Sequence, residues 1–349
     1  MISMDINSFK AIFDPKLNTY IQQKMNQAKQ LLDNTEINAY IDYLEPFVFS
    51  GGKRIRPYCL WLMYKWFDGQ EDEDILQFAI VFELLHTMAL IHDDIIDQSQ
   101  KRHNVSTMHA YIWEQLGDNH NIQVSEWQAI LIWDLLLSRV YELGNKHYRF
   151  SEQVLEDARI NLHTMIEEVI LGQMIDVQMM TGKNTTKEMI EKKNMFKTAS
   201  YTFTRPLLTG AILAGADQTQ KNLVIELGNA LWVAFQMKDD LMDITLGDKT
   251  KSLFSDIQEG QQTYFTQYIK EHGSQSDNDL LSSCMGQSLN NHQIESLQTM
   301  FKDSGAIEAG IARMLEYTKK AKELLNAITF QNTLAYDGII GLISKIEHL

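Results

Sequence analysis

Prolines occur at only four positions, 15, 46, 57 and 206, in 349 residues. Between them, long segments carry apolar residues at three- and four-residue spacing, without the alternation bounded by turns that marks strands. A backbone so free of proline and so patterned satisfies its own hydrogen bonds as helix. The period predicts helices over 16–33, 36–50, 54–68, 73–98, 106–117, 124–146, 151–182, 187–215, 219–246 and 258–272, with three more after 290. The intervening stretches SGGK (50–53), FDGQED (67–72), TGKNTT (181–186) and EHGSQSDND (271–279) have the chemistry of helix stops. Residues 75–91 are apolar on nearly every side, as is much of 207–216, so these helices are expected to be buried among others. No fixed-period repeat is visible, which disfavours a helical solenoid. The expected fold is all-α, a compact multi-helix bundle forming one domain over 1–349.

Charge and cysteine usage narrow the partners. With 31 basic against 46 acidic residues the formal charge is −15, which disfavours general attraction to nucleic acid or anionic lipid. An anionic ligand has to be held locally, by a metal or a basic pocket. Cys59 and Cys284 are too few and too far apart for a disulfide framework or a thiolate zinc site, so a reducing cytoplasm is expected. The start MISMDINSFKAIFDPK lacks the features of a secretion signal, and no uncharged apolar run reaches the roughly 20 residues needed to span a bilayer.

The stretch LLHTMALIHDDIIDQ (84–98) gathers Asp93, Asp94 and Asp97 at the end of an apolar helical run, and FQMKDDLMDIT (235–245) repeats the spacing with Asp239, Asp240 and Asp243. Positions i and i+4 share a helix face, so Asp93 pairs with Asp97 and Asp239 with Asp243, while the middle aspartate points aside. A lone acidic helix end is often just a solvated face. Two such clusters after strongly apolar runs are different, because partly buried like charges need counter-ions. Mg²⁺ takes oxygen ligands, retains water, and typically binds one or two carboxylates together with substrate phosphate oxygens. Two aspartate pairs therefore suit a diphosphate.

SGGKRIRPY (50–58) places Lys53 and Arg56 at a helix start after two glycines, an arrangement that favours anions. Arg102, Lys197, Lys238, Lys249 and Lys251 fall near the acidic clusters in sequence and could neutralise two diphosphates.

With both aspartate motifs, the Gly-Gly-Lys-Arg-x-Arg-Pro start and the intervening GQMID and KTAS segments in order, the chain resembles the trans-isoprenyl diphosphate synthase (polyprenyl synthetase) family, geranylgeranyl-type enzymes among them, over roughly residues 50–265. The resemblance implies a helical bundle around a deep central cavity, a homodimer, and a prenyltransferase adding isopentenyl diphosphate to an allylic diphosphate. It further implies that Asp93, Asp97 and Asp239 ligate Mg²⁺ directly, with Asp94, Asp240 and Asp243 holding waters or orienting neighbours. Lys53, Arg56 and His86 would bind isopentenyl diphosphate; Arg102, Lys197 and Lys251 would bind the allylic diphosphate. Thr198, Gln236 and Asp176 would line the reacting centre, with Gln173 near it. The chain departs from the pattern at RHNVST (102–107), where His103 replaces an arginine expected on isopentenyl diphosphate. In SDIQEGQQT (255–263) Gln261 stands where a lysine commonly meets the allylic diphosphate, and just before it Phe254 stands where a glycine is common.

The implied chemistry is metal-assisted ionisation of the allylic C–O bond, attack by the isopentenyl double bond, and loss of a proton to the departed diphosphate, all shielded from water. Product length would depend on Met88 and Ala89, with Leu85 deeper. No large aromatic stands there, so a geranylgeranyl or longer product is expected. Two other readings share parts of this pattern: a metal-dependent terpene cyclase, which has no need of the Lys53–Arg56–His86 group, and a non-catalytic subunit of a heteromeric prenyl synthase.

Overall fold

Two of the four prolines sit in the first turn of a helix, where a missing N–H costs nothing: Pro46 in Leu44–Phe49 and Pro57 in Ile55–Trp66, while Pro206 opens Arg205–Leu213, which continues directly from the helical turns before it. The fourth, Pro15, lies inside Ile6–Leu31. The sequence reading began this helix at 16. It starts ten residues earlier in the chain, capped by the Asp5 carboxylate, which accepts from the Asn7 and Ser8 amides at 2.8 and 2.9 Å. Burial of Phe9, Phe13, Leu17, Ile21 and Met25 along one face outweighs the lost hydrogen bond at Pro15.

The computed structural model describes residues 5–117, 121–179, 187–245, 253–329 and 332–348. The chain groups into two compact units, one of Met1–Ile166, Pro206–Asp217 and Phe330–Gly338, the other of Glu167–Arg205, Gln218–Thr329 and Ile339–Leu349. The architecture is all-α, as expected.

In the first unit Asp72–Ile96 is the central helix, packed against Ile55–Trp66 and Ile122–Gly144. Its first turn carries Asp72, Glu73 and Asp74, which favour the positive end of the helix dipole. It is long and apolar enough to cross a membrane, yet most of it is buried inside the protein, as befits a core helix. Beyond it comes a small feature that the helical reading missed: Lys101–Arg102 pairs antiparallel with Val105–Ser106. The two turn residues, His103 and Asn104, both have positive φ (47° and 68°), the backbone that a two-residue hairpin turn requires.

In the second unit Gln218–Thr245 packs along Ala306–Ala327 and against a ten-residue π-helix, Met195–Thr204. The single helix expected over 187–215 is thus three pieces, Lys187–Asn194, the π stretch and Arg205–Leu213. Pro206 has no N–H to give back to the preceding turn, so one α-type hydrogen bond is absent at the junction. The span 258–272 divides into Ser255–Gln258 and Tyr264–His272. The three helices expected after 290 are Asn291–Asp303, Ala306–Ala327 and Thr333–Glu347. An additional helix, Gln275–Cys284, occupies part of the expected break at 271–279, started by a reciprocal cap between Ser274 and Asp277.

Candidate active site

In the first aspartate motif the helix ends at Ile96, and Asp97 closes it by donating its amide to the Asp93 carbonyl at 2.8 Å. Three carboxylates thus stand at the negative end of a helix dipole, which is unfavourable without cations nearby. Asp93 is half-buried and Asp97 exposed, whereas Asp94 is buried, 1% exposed. Arg102, from the hairpin, grips Asp94 with Nη2 at 2.7 Å and Nε at 3.0 Å from Oδ1. Burial pushes the Asp94 carboxyl up from its ordinary range, and the Arg102 bond opposes that shift. The middle aspartate therefore orients a neighbour, and Arg102, expected on the allylic diphosphate, is bound to Asp94. The loop between them is tied down by Ser99 N–H to the Asp94 carbonyl (2.9 Å) and by Thr107 Oγ1–H to the Ser99 carbonyl (2.7 Å).

The basic group lies in this same unit. Lys53 is exposed, and Arg56 and His86 are half-buried. Burial, and then the charges of Arg56, Arg102, Arg54 and His103, hold the His86 imidazole well below its ordinary pKa. His103 comes close to the glycine loop: a Cβ on Gly51 would lie 2.8 Å from the His103 ring. The structure therefore brings Arg56, His86, Arg102 and His103 into one electropositive neighbourhood. The sequence reading passed over Arg54, which has φ 55° at the helix start. It is 3% exposed and donates Nε to Asp14 Oδ1 (2.8 Å) and Nη1 to Glu83 Oε1 (2.6 Å) and the Val48 carbonyl (3.2 Å). Arg54 is thus the rivet that joins the loop to the Asp72–Ile96 helix. Lys10 adds a second tie, Nζ to the Gly52 carbonyl at 3.2 Å. Of the residues expected to govern product length, Leu85 and Met88 are buried, and Ala89 is half-buried one turn before Asp93.

The second motif again buries its middle aspartate. Asp239 is exposed and Asp243 half-buried, while Asp240 is buried and accepts a 2.6 Å hydrogen bond from Gln236 Nε2. Burial pushes the Asp240 carboxyl up to about 7, with Asp256 and Asp239 adding and the Gln236 bond opposing. Asp243 caps the helix Ser255–Gln258, accepting from Ser255 N (3.0 Å), Ser255 Oγ (2.6 Å) and Asp256 N (3.2 Å). Its role is to orient the segment that follows. Lys238 Nζ donates to the Lys345 and His348 carbonyls at 2.5 and 2.6 Å, at the end of the last helix.

Between Glu152–Met179 and the π-helix, Gly172 permits close approach, since a Cβ there would lie 2.6 Å from the Lys197 amide nitrogen. One turn on, the buried Asp176 accepts from Lys197 Nζ at 2.5 Å. Lys193 also reaches Asp176, at 3.5 Å, and donates to Gln261 at 2.9 Å. Gln173 is half-buried beside them in sequence, with its Nε2 buried. The sequence reading missed Lys193, although its i,i+4 spacing to Lys197 placed both on one face. The side chain of Thr198, and Lys249 and Lys251 entirely, lie outside the described residues.

Among the described residues no three carboxylate, imidazole or thiolate groups converge as a closed metal site. In the first unit Asp93 is half-buried and Asp97 exposed, and in the second Asp239 is exposed, so each of these carboxylates retains some access to solvent.

The family description Polyprenyl synthetase matches residues 36–303. The chain is 29% identical over 290 residues to the short chain isoprenyl diphosphate synthase of Methanothermobacter thermautotrophicus, covering 81% of this chain and 83% of that one. It is 31% identical to the geranylgeranyl diphosphate synthase of Methanosarcina mazei over 66% of this chain and 67% of that one. Among solved structures, the geranylgeranyl pyrophosphate synthase of Corynebacterium glutamicum, complexed with isoprenyl diphosphate and magnesium, superposes with a TM-score of 0.81 at 25% identity, covering 95% and 98% of the two chains. The chain belongs to the polyprenyl synthetase family, and is a prenyltransferase.

Proposed function

We propose that the chain condenses isopentenyl diphosphate with an allylic diphosphate, giving geranylgeranyl diphosphate or a longer polyprenyl diphosphate, as a single polyprenyl synthetase domain. The observation that supports the reading is common to the two aspartate motifs: in each the middle carboxylate is buried and bonded to a neighbour, and a less buried carboxylate stands on either side of it. Asp93, Asp97 and Asp239 would hold Mg²⁺, which when bound supplies charge neutralisation for a leaving diphosphate. Asp94 and Asp243 hold the adjoining backbone and Arg102 in place. Lys53, Arg56 and His86, with His103 beside the glycine loop, bind the isopentenyl diphosphate. Arg102, Lys197 and Lys251 bind the allylic one.

The allylic C–O electron pair leaves with the diphosphate, the isopentenyl π pair forms the new C–C bond, and the surplus proton passes to the departed diphosphate. Lys197, fixed by Asp176, neutralises that group as it accepts the proton. Thr198 and Gln236 line the reacting carbon, with Gln173 near it.

The cytoplasm is the proposed compartment, in keeping with two free, buried cysteines. The proposed assembly is a homodimer. It is supported by Trp127, Leu131 and Tyr141, exposed at 58, 59 and 45% along one face of Ile122–Gly144.

The decisive experiment is incubation of the purified chain with Mg²⁺, isopentenyl diphosphate and farnesyl diphosphate, sizing the products. Consumption of isopentenyl diphosphate with chain growth is expected. A cyclised product from farnesyl diphosphate alone overturns the reading, and silence overturns it for the isolated chain. Sedimentation of the same preparation checks the dimer.

A further inference from the structure

Lys193 is 7% exposed, a degree of burial that lysine rarely tolerates without a strong counter-charge. Its nearest carboxylate, Asp176, lies at 3.5 Å and is already held by Lys197 at 2.5 Å, so the share left to Lys193 is the weaker one. Its closer contact is the Gln261 amide oxygen at 2.9 Å, which orients an ammonium and adds no charge. Of the three N–H donors of Lys193, two have these acceptors and the third has none among the described residues. Position 261 is also where the sequence lacks an expected phosphate-binding lysine. The end of the Gln261 side chain is therefore one hydrogen bond away from an ammonium brought in from Lys187–Asn194.

We propose that Lys193 supplies the cation missing at position 261 and binds the allylic diphosphate together with Lys197, Gln261 acting as the bracket that holds its ammonium. The assignment rests on the prenyltransferase reading above and deepens it. Two lysines four residues apart, sharing one buried carboxylate, place two ammonium groups on a single helix face, a geometry suited to adjacent oxygens of a diphosphate.

The test uses the full chain with Lys193→Met, with Lys193→Gln, which keeps a polar partner for Gln261 and so protects folding, and with the double variant Lys193→Met/Gln261→Lys. KM is measured separately for farnesyl diphosphate and isopentenyl diphosphate, and Kd for farnesyl thiolodiphosphate by calorimetry with Mg²⁺. Loss of a charge-assisted hydrogen bond predicts an allylic KM and analogue Kd about tenfold to a hundredfold higher in both single variants, with the isopentenyl KM nearly unchanged. The double variant recovers most of that loss. Single variants with wild-type allylic KM and Kd overturn the assignment while leaving the prenyltransferase reading intact, as does a folded double variant no better than Lys193→Met. If the wild type binds the analogue without turnover, the Kd comparison decides. If it neither binds nor turns over, the prenyltransferase reading falls and takes this assignment with it.

Discussion

Replacing Arg54 by methionine isolates what the glycine loop depends on. The guanidinium is 3% exposed and bonds Asp14, Glu83 and the Val48 carbonyl; Glu83 is itself 3% exposed. Methionine keeps most of the volume and removes the charge, which leaves a buried glutamate without its cation. Stranding one partner of a buried pair costs about 3–5 kcal/mol. The double variant Arg54→Met/Glu83→Met removes both charges and is expected to regain most of that loss, because an apolar pair of similar volume is often neutral. Urea unfolding midpoints of wild type, Arg54→Met, Glu83→Met and the double variant measure the cycle. A single variant within about 1 kcal/mol of wild type, or a double variant worse than the single, refutes the idea that Arg54 is a structural rivet.

Gly172→Ala should destabilise by about 1–3 kcal/mol despite alanine's better helix propensity, because its Cβ would meet the Lys197 amide nitrogen at 2.6 Å; thermal melting checks this, and an unchanged or higher Tm counts against it. Phe254, at φ 60° and stacked on Phe301 at a centroid distance of 5.9 Å, should lose about 2–4 kcal/mol on replacement by glycine. Relief of roughly 1–2 kcal/mol of left-handed strain is smaller than the loss of a buried ring, and a more stable variant reverses the ranking. The His86 imidazole, with a folded pKa below its unfolded value near 6.5, contributes stability that is complete above that pH and is lost below it by at most about 1.4 kcal/mol per unit. The stability difference between wild type and His86→Gln should therefore narrow from pH 7.5 to 5.5 in urea titrations, and a constant difference rejects the assignment. Met88→Ala opens space beside Ala89 and should lengthen the prenyl product; chromatography showing unchanged chain lengths rejects its part in setting length.

The helices and the paired aspartates were legible because each is a periodic signal: apolar spacing dictates which face is buried, and i,i+4 spacing dictates which carboxylates share it. The N-terminal helix runs through Pro15 and starts ten residues before the predicted 16, because five buried side chains along one face outweigh the proline's lost hydrogen bond. Gln275–Cys284 was missed although Ser274 and Asp277 carry the capping-box spacing, because the Gly-Ser-rich composition around them looked like a stop. Arg54 and Lys193 were illegible for another reason. Both matter through partners distant in sequence, Asp14 and Glu83 in one case and Asp176 and Gln261 in the other, and no local pattern announces such partners.

The two motifs resolve the same electrostatic difficulty with different means. In the first, the buried carboxylate is paired with the Arg102 guanidinium, which opposes the upward shift that burial imposes. In the second the partner is the uncharged Gln236 amide, so burial moves Asp240 to about 7 and a proton does part of what the arginine does for Asp94. In both, the middle carboxylate is the buried one and its charge is offset within the motif, by the Arg102 guanidinium at Asp94 and by the raised pKa at Asp240. The third aspartate is anchored through the backbone at Asp97 and through Ser255 and Asp256 at Asp243, which fixes where each motif ends. The Asp-Asp-x-x-Asp spacing therefore carries, in each motif, its own answer to the burial of the middle carboxylate.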